Sequence, residues 1–164
     1  MSAPVLVFDL DGTLIDTVPD LLSSLNYKLA TRSLAPIPVA GINKLVGQGA
    51  RVMLQRGFDM AGKHLPEDEM NVLFDVFLEH YSANIVVKSR PFPDVRATLD
   101  SFAAEGWKPA VCTNKLEGLT RPLLDTLDMT KYLDAIVGGD TFEKNKPDAM
   151  PILGAVERAG GEPA

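Results

Sequence analysis

Val5-Leu6-Val7-Phe8 runs without a polar residue and stops abruptly at Asp9-Leu10-Asp11-Gly12-Thr13. A short, continuous apolar run that is β-branched and aromatic predicts a strand buried on both faces, as in a parallel sheet. The next 70 or so residues narrow the fold further, because from residue 17 to residue 88 the sequence reads almost wholly as helix. Leu21, Leu22, Leu25 and Leu29 fall at helical spacing, and shorter helical pieces are expected over 39–45 and 50–58. A longer helix from Pro66 to about Tyr81 opens on Glu67, Asp68 and Glu69, which suit the positive end of the helix dipole. A short strand is expected at Ile85-Val86-Val87. Beyond Pro91 and Pro93 the pattern alternates: helix over 94–105, strand over 107–112, helix over 119–127, strand over 135–137, helix over 149–159. Alternating helix and buried strand implies βαβ units.

The expected architecture is therefore an α/β, Rossmann-like core built from residues 1–16 and 89–164, interrupted after its first strand by an all-helical insertion over 17–88. Insertions at the carboxyl end of a strand lie over the crevice in which open α/β sheets bind ligands. That makes the helical block a candidate cap.

Composition removes several classes of function. The 164 residues carry 16 Lys+Arg against 22 Asp+Glu, a formal charge of −6, which argues against nucleic acid or an anionic membrane surface as the main partner. The single cysteine, Cys112, cannot form an internal disulfide, and His64 and His80 are too few for a His-rich metal site. No stretch approaches the ~20 apolar residues of a spanning helix, so a soluble, cytoplasmic protein is expected. Gly47-Gln48-Gly49 lacks the third glycine of a dinucleotide fingerprint and follows helical sequence.

Three segments carry candidate chemistry, each at the carboxyl end of an expected strand. Asp9 and Asp11 are two apart on an extended segment and so project to one side. Two neighbouring carboxylates repel unless a cation or a shared proton intervenes, a need that a hard metal such as Mg²⁺ meets. An acidic turn at a strand end is the plain alternative. Thr113-Asn114-Lys115 ends the strand over 107–112 in a hydroxyl, an amide and a cation, suited to phosphate oxygens or to a simple helix cap. Lys146, in Lys144-Asn145-Lys146-Pro147-Asp148, is placed to offset phosphoryl charge or to sit on a solvated basic loop.

In this order, Asp9-Leu10-Asp11-Gly12-Thr13-Leu14, Thr113-Asn114-Lys115 and Lys146-Pro147-Asp148 closely resemble the first three motifs of the haloacid dehalogenase superfamily. The resemblance spans essentially the whole chain, and Val111-Cys112-Thr113-Asn114-Lys115 with Gly138-Gly139-Asp140-Thr141-Phe142 is most similar to its phosphoglycolate phosphatases. It implies Asp9 as nucleophile, Asp11 as acid and then base, Thr113 with Asn114 on phosphate oxygens, and Lys146 on the Asp9 carboxylate and the phosphoryl charge. It further implies Mg²⁺ on the Asp9 side chain and the Asp11 carbonyl. Arg51, with Gly47 and Gly49, is read as a cap-side contact or a packing element. The implied function is Mg²⁺-dependent hydrolysis of a small phosphorylated metabolite, with 2-phosphoglycolate favoured. A phosphosugar mutase, a pyrophosphatase and a silent phosphate-binding fragment stand as alternatives, and a homo-oligomer is open. The family also carries a fourth, acidic Gly-Asp-type motif on a later strand. The sequence reaches Glu162-Pro163-Ala164 without one, so the expectation is a core missing its C-terminal strands, with little turnover of its own.

Overall fold

The computed structural model describes residues 3–163. The chain divides into two compact units: the described residues up to Asp16 together with those from Arg90 onward, and Thr17–Ser89.

The first unit is an α/β core. Strands β1 (Val5–Phe8), β4 (Lys108–Cys112) and β5 (Ala135–Val137) form a parallel sheet in the order β1-β4-β5, with Phe8 opposite Val111 and Cys112 opposite Val137. Side chains alternate across this sheet. Ala110, Cys112, Ala135 and Val137 pack with Ala155 and Ala159 at helix α6 (Met150–Arg158) and its C-terminal end. Small residues on both surfaces let that helix lie close to the strands. Helices α4 (Val95–Ala104) and α5 (Glu117–Thr126) pack against β4 and β5 respectively. The residues of β1 are only half-buried, not enclosed on both faces, because among the described residues β1 is an edge strand.

Two further strands were not expected from the sequence. β2 (Ile15–Asp16) and β3 (Arg90–Pro91) form a short antiparallel pair, Ile15 opposite Pro91 and Asp16 opposite Arg90. It ties together the two points at which the chain leaves and re-enters this unit.

The second unit is helical: α1 (Val18–Ala30), a 3₁₀ segment over Val39–Lys44, α2 (Ala50–Met60) and α3 (Glu67–Ala83). Leu25, Leu29, Leu54, Phe58 and Phe77 are fully buried between the helices. Gly57 lets α2 approach α1, since a Cβ there would lie 2.8 Å from the Leu25 methyl carbons. The strand expected at 85–87 is absent; that segment is a turn. The helical piece expected over 39–45 is the 3₁₀ segment Val39–Lys44. Among the described residues, no helix is long and apolar enough to cross a membrane.

Candidate active site

The site begins in the turn after β1. Gly12 has φ +78°, a conformation that side-chain-bearing residues seldom adopt, and its N–H donates to the Ile15 carbonyl at 2.9 Å. The Leu10 carbonyl accepts the N–H groups of Thr13, Leu14 and Ile15 at 3.2, 3.0 and 3.1 Å. Leu10 itself is fully buried. The segment between the two carboxylates is thus pinned from below, so neither aspartate rides on a loose loop.

Each carboxylate meets its own lysine. Lys146 Nζ lies 2.9 Å from Asp9 Oδ1, and the Leu10 N–H donates to the same oxygen at 2.8 Å. Lys115 Nζ lies 3.1 Å from Asp11 Oδ1. The two pairs differ in burial: the side chains of Lys146 and Asp9 are 21% and 34% exposed, those of Lys115 and Asp11 only 5% and 11%. Two adjacent carboxylates are therefore compensated by two ammonium groups, one pair facing outward and one set inward.

The strand-end loops hold these lysines by direct bonds. Thr113 is buried; its N–H donates to the Val137 carbonyl at 3.0 Å, and its Oγ1 accepts the Lys115 N–H at 3.2 Å. Asn114 Nδ2 donates to the Lys146 carbonyl at 3.2 Å, a strut from the β4 loop to the lysine beside Asp9. The Gly139 N–H donates to the Lys115 carbonyl at 2.8 Å. Gly139 must be glycine for this approach, because a Cβ would lie 2.5 Å from the Asn114 carbonyl oxygen.

Glu117 completes the link between the β4 and β5 loops. Its N–H donates to Asp140 Oδ1 at 2.7 Å, its Oε1 accepts Arg121 Nε at 2.7 Å, and its Oε2 accepts the Thr141 hydroxyl. The Thr141 oxygen in turn accepts the Gly138 N–H at 2.8 Å. The Thr141 hydrogen bond, ahead of the opposing effect of burial, lowers the Glu117 pKa below its ordinary value. Cys112, at the end of β4, shifts the other way: burial raises its thiol pKa, outweighing the opposing charge of Lys146.

The structure thus gathers Asp9, Asp11, Thr113, Asn114 and Lys146 at one end of the parallel sheet within the α/β unit. Lys115 and Glu117 join them; the sequence offers Lys115 only as the cation of the Thr113-Asn114-Lys115 run, and nothing in it singles out Glu117. Arg51 belongs to the helical unit. Its guanidinium lies 5.9 Å from the Phe74 ring centroid and its Nη2 4.0 Å from Glu67 Oε1, beside a cavity of about 360 Å³ also lined by Gln55, His64 and Leu65. Gly47 and Gly49, with φ +99° and +88°, shape the loop before α2.

Among the described residues, no group of three or more His, Cys, Asp or Glu is placed to hold a metal. The oxygen-only donor set nevertheless suits Mg²⁺, which commonly takes one or two protein carboxylates and completes its shell with water and substrate phosphate. The Lys146 and Leu10 N–H contacts to Asp9 both fall on Oδ1, so the carboxylate as a whole keeps capacity for a further partner among the described residues.

Comparison with known proteins finds relatives over nearly the whole chain. Residues 6–164 match the family model of haloacid dehalogenase-like hydrolases. The chain is 49% identical over 160 residues to a phosphoglycolate phosphatase of Agrobacterium fabrum, covering 98% of this chain and 69% of that protein. It is 44% identical to the phosphoglycolate phosphatase of Mesorhizobium japonicum, covering 99% of this chain and 71% of that one. A crystal structure described as a predicted phosphoglycolate phosphatase from Haemophilus somnus superposes with a TM-score of 0.85 at 31% identity, over 97% of this chain and 72% of that chain.

Proposed function

The chain belongs to the haloacid dehalogenase-like hydrolase family, and we propose that it hydrolyses a small phosphate monoester, 2-phosphoglycolate, through a phosphoryl group carried on Asp9. The observation that carries this reading is the Asp9–Lys146 pair set against the separately held Asp11.

Those contacts divide the chemistry between the two carboxylates. Lys146 and the Leu10 N–H hold Asp9 Oδ1, which leaves Oδ2 to attack phosphorus in line. As the Oδ2–phosphorus bond forms, the bond to the leaving oxygen breaks, and Asp11, which enters this step as the neutral acid, gives its proton to the departing alkoxide. Asp11, now ionised, takes a proton from water. The hydroxide so formed attacks phosphorus, the phosphorus–Asp9 bond breaks, and inorganic phosphate leaves. Thr113 Oγ1 already accepts the Lys115 N–H, so its own proton is the group it can offer a phosphate oxygen. Lys146 offsets the charge on the transferring oxygens.

Bound Mg²⁺ would be held by the Asp9 carboxylate and the Asp11 carbonyl and would withdraw charge from the phosphoryl oxygens. The substrate assignment is supported by the relatives named phosphoglycolate phosphatase at 49% and 44% identity.

A substrate panel tests the reading. The purified chain with Mg²⁺ is offered 2-phosphoglycolate, glucose 1-phosphate and pyrophosphate. Phosphate release fastest from 2-phosphoglycolate, and abolished by Asp9→Asn, is the expected result. An isomerised sugar phosphate in place of free phosphate would replace the reading with a mutase.

A further inference from the structure

Lys115 is the most deeply buried charged group of the site and the one for which the proposed reaction has no task. We propose that Lys115 is the positioning residue of the proton donor: its ammonium fixes the Asp11 carboxylate so that proton delivery to the leaving oxygen is pre-aligned. The inference rests on the phosphatase reading and deepens it.

Three observations carry it. The first is the contact itself, Lys115 Nζ to Asp11 Oδ1 at 3.1 Å, with both side chains nearly sealed from solvent. Burying an ammonium is expensive, and stability alone would be served as well by an apolar side chain of that volume. The second is that the lysine backbone is fixed before its side chain reaches out. Its N–H donates to Thr113 Oγ1 at 3.2 Å, and its carbonyl accepts the Gly139 N–H at 2.8 Å and the Thr120 hydroxyl at 3.4 Å. A group tied to the β4 loop, α5 and the β5 loop cannot drift, so the carboxylate it grips cannot drift either. The third is the contrast with Lys146, whose pair with Asp9 is several-fold more exposed. Lys146 with Asp9 is thus the solvent-facing pair and Lys115 with Asp11 the enclosed one.

An acid that is positioned well matters in proportion to how badly the leaving group needs a proton. Glycolate leaves as an alkoxide and needs one; p-nitrophenolate is a stable anion and does not. The test is kcat/KM of the whole chain and of Lys115→Met on 2-phosphoglycolate and on p-nitrophenyl phosphate. This parameter covers the steps up to leaving-group departure, so later hydrolysis on Asp9 does not blur the comparison.

The expected result is a loss of about 100-fold on 2-phosphoglycolate, the scale of a displaced catalytic group, with about tenfold or less on the aryl ester. Lys115→Arg, which keeps the cation, is expected to recover most of the difference. Equal losses on both substrates would show Lys115 to be structural only, overturning the inference while leaving the phosphatase reading intact. Release of phosphate from neither substrate by the unaltered chain would overturn both. A thermal-unfolding cycle of Lys115→Met, Asp11→Asn and the double variant guards against trivial misfolding. The double variant is expected to lose less than the sum of the two single losses, because each single change breaks the same Lys115–Asp11 contact. Strictly additive losses would contradict the grip.

Discussion

The buried Asp20 carboxylate accepts the Ser89 N–H at 2.8 Å and the Ser89 hydroxyl at 2.7 Å, joining the first turn of α1 to a residue 69 positions later. The N–H groups of Val87 and Lys88 donate to the same carboxylate at 3.1 and 2.9 Å. One side chain therefore closes the helical unit at the points where the chain enters and leaves it.

Removing that carboxylate leaves several donors unsatisfied. Asp20→Ala is expected to destabilise the fold by about 3 kcal/mol, whereas Ser89→Ala, which loses one hydroxyl and keeps the backbone bonds, is expected to cost about 1 kcal/mol. Urea unfolding of both variants measures the ratio. Equal effects would show that the backbone donors contribute nothing.

Glu117 makes a pH-dependent contribution to stability. Its pKa is lowered in the fold, chiefly by the Thr141 hydroxyl and next by Arg121 among the favourable contacts. A depressed carboxylate pKa adds stability that is present above its unfolded value, near the ordinary 4.5, and is lost as pH falls through the folded value. Thermal midpoints measured from neutral pH down into the acid range should fall more steeply below pH 4.5 in the parent chain than in Glu117→Gln. Parallel curves would contradict the assignment.

Two glycines of the same unit should respond oppositely to alanine. Gly139→Ala drives a Cβ to 2.5 Å from the Asn114 carbonyl oxygen, a collision with backbone that should cost roughly 2 kcal/mol and disturb the Asn114–Lys146 strut. Gly118 lies in α5 with nothing within 4 Å of the added carbon, so Gly118→Ala should stabilise by about 0.5–1 kcal/mol. Denaturation midpoints of the two variants on either side of the parent are the expected outcome.

Cys112 should be inert in the folded chain. It is 1% exposed and burial raises its thiol pKa, so both access and thiolate fraction are low. Ellman's reagent at neutral pH should label it only at the rate of unfolding, and promptly in denaturant. Fast labelling of the native chain would contradict the burial.

Several parts of this arrangement are legible in the sequence for identifiable reasons. β4 and β5 are apolar runs bounded by polar loop residues, Asp9 and Thr113 mark strand ends by residue type, and Lys146 follows in the loop after β5. Ile85-Val86-Val87 misleads because β-branched residues suggest a ladder, whereas the N–H groups from Val87 onward are claimed by Asp20. β2 and β3, at two residues each, are too short for any periodicity to register. Lys115 is visible as a cation at a strand end. Its partner Asp11 lies far earlier in the chain, a distance over which spacing says nothing and only the β1–β4 pairing decides.

The most direct measurement concerns Asp9 itself. The chain turning over 2-phosphoglycolate with Mg²⁺ is quenched in acid and reduced with borohydride, which converts an aspartyl phosphate to homoserine. Peptide mass spectrometry should then find homoserine in place of Asp9 and nowhere else, and none without substrate. Phosphate release with Asp9 unmodified, or with the label on Asp11, would contradict the assignment of Asp9 as the nucleophile.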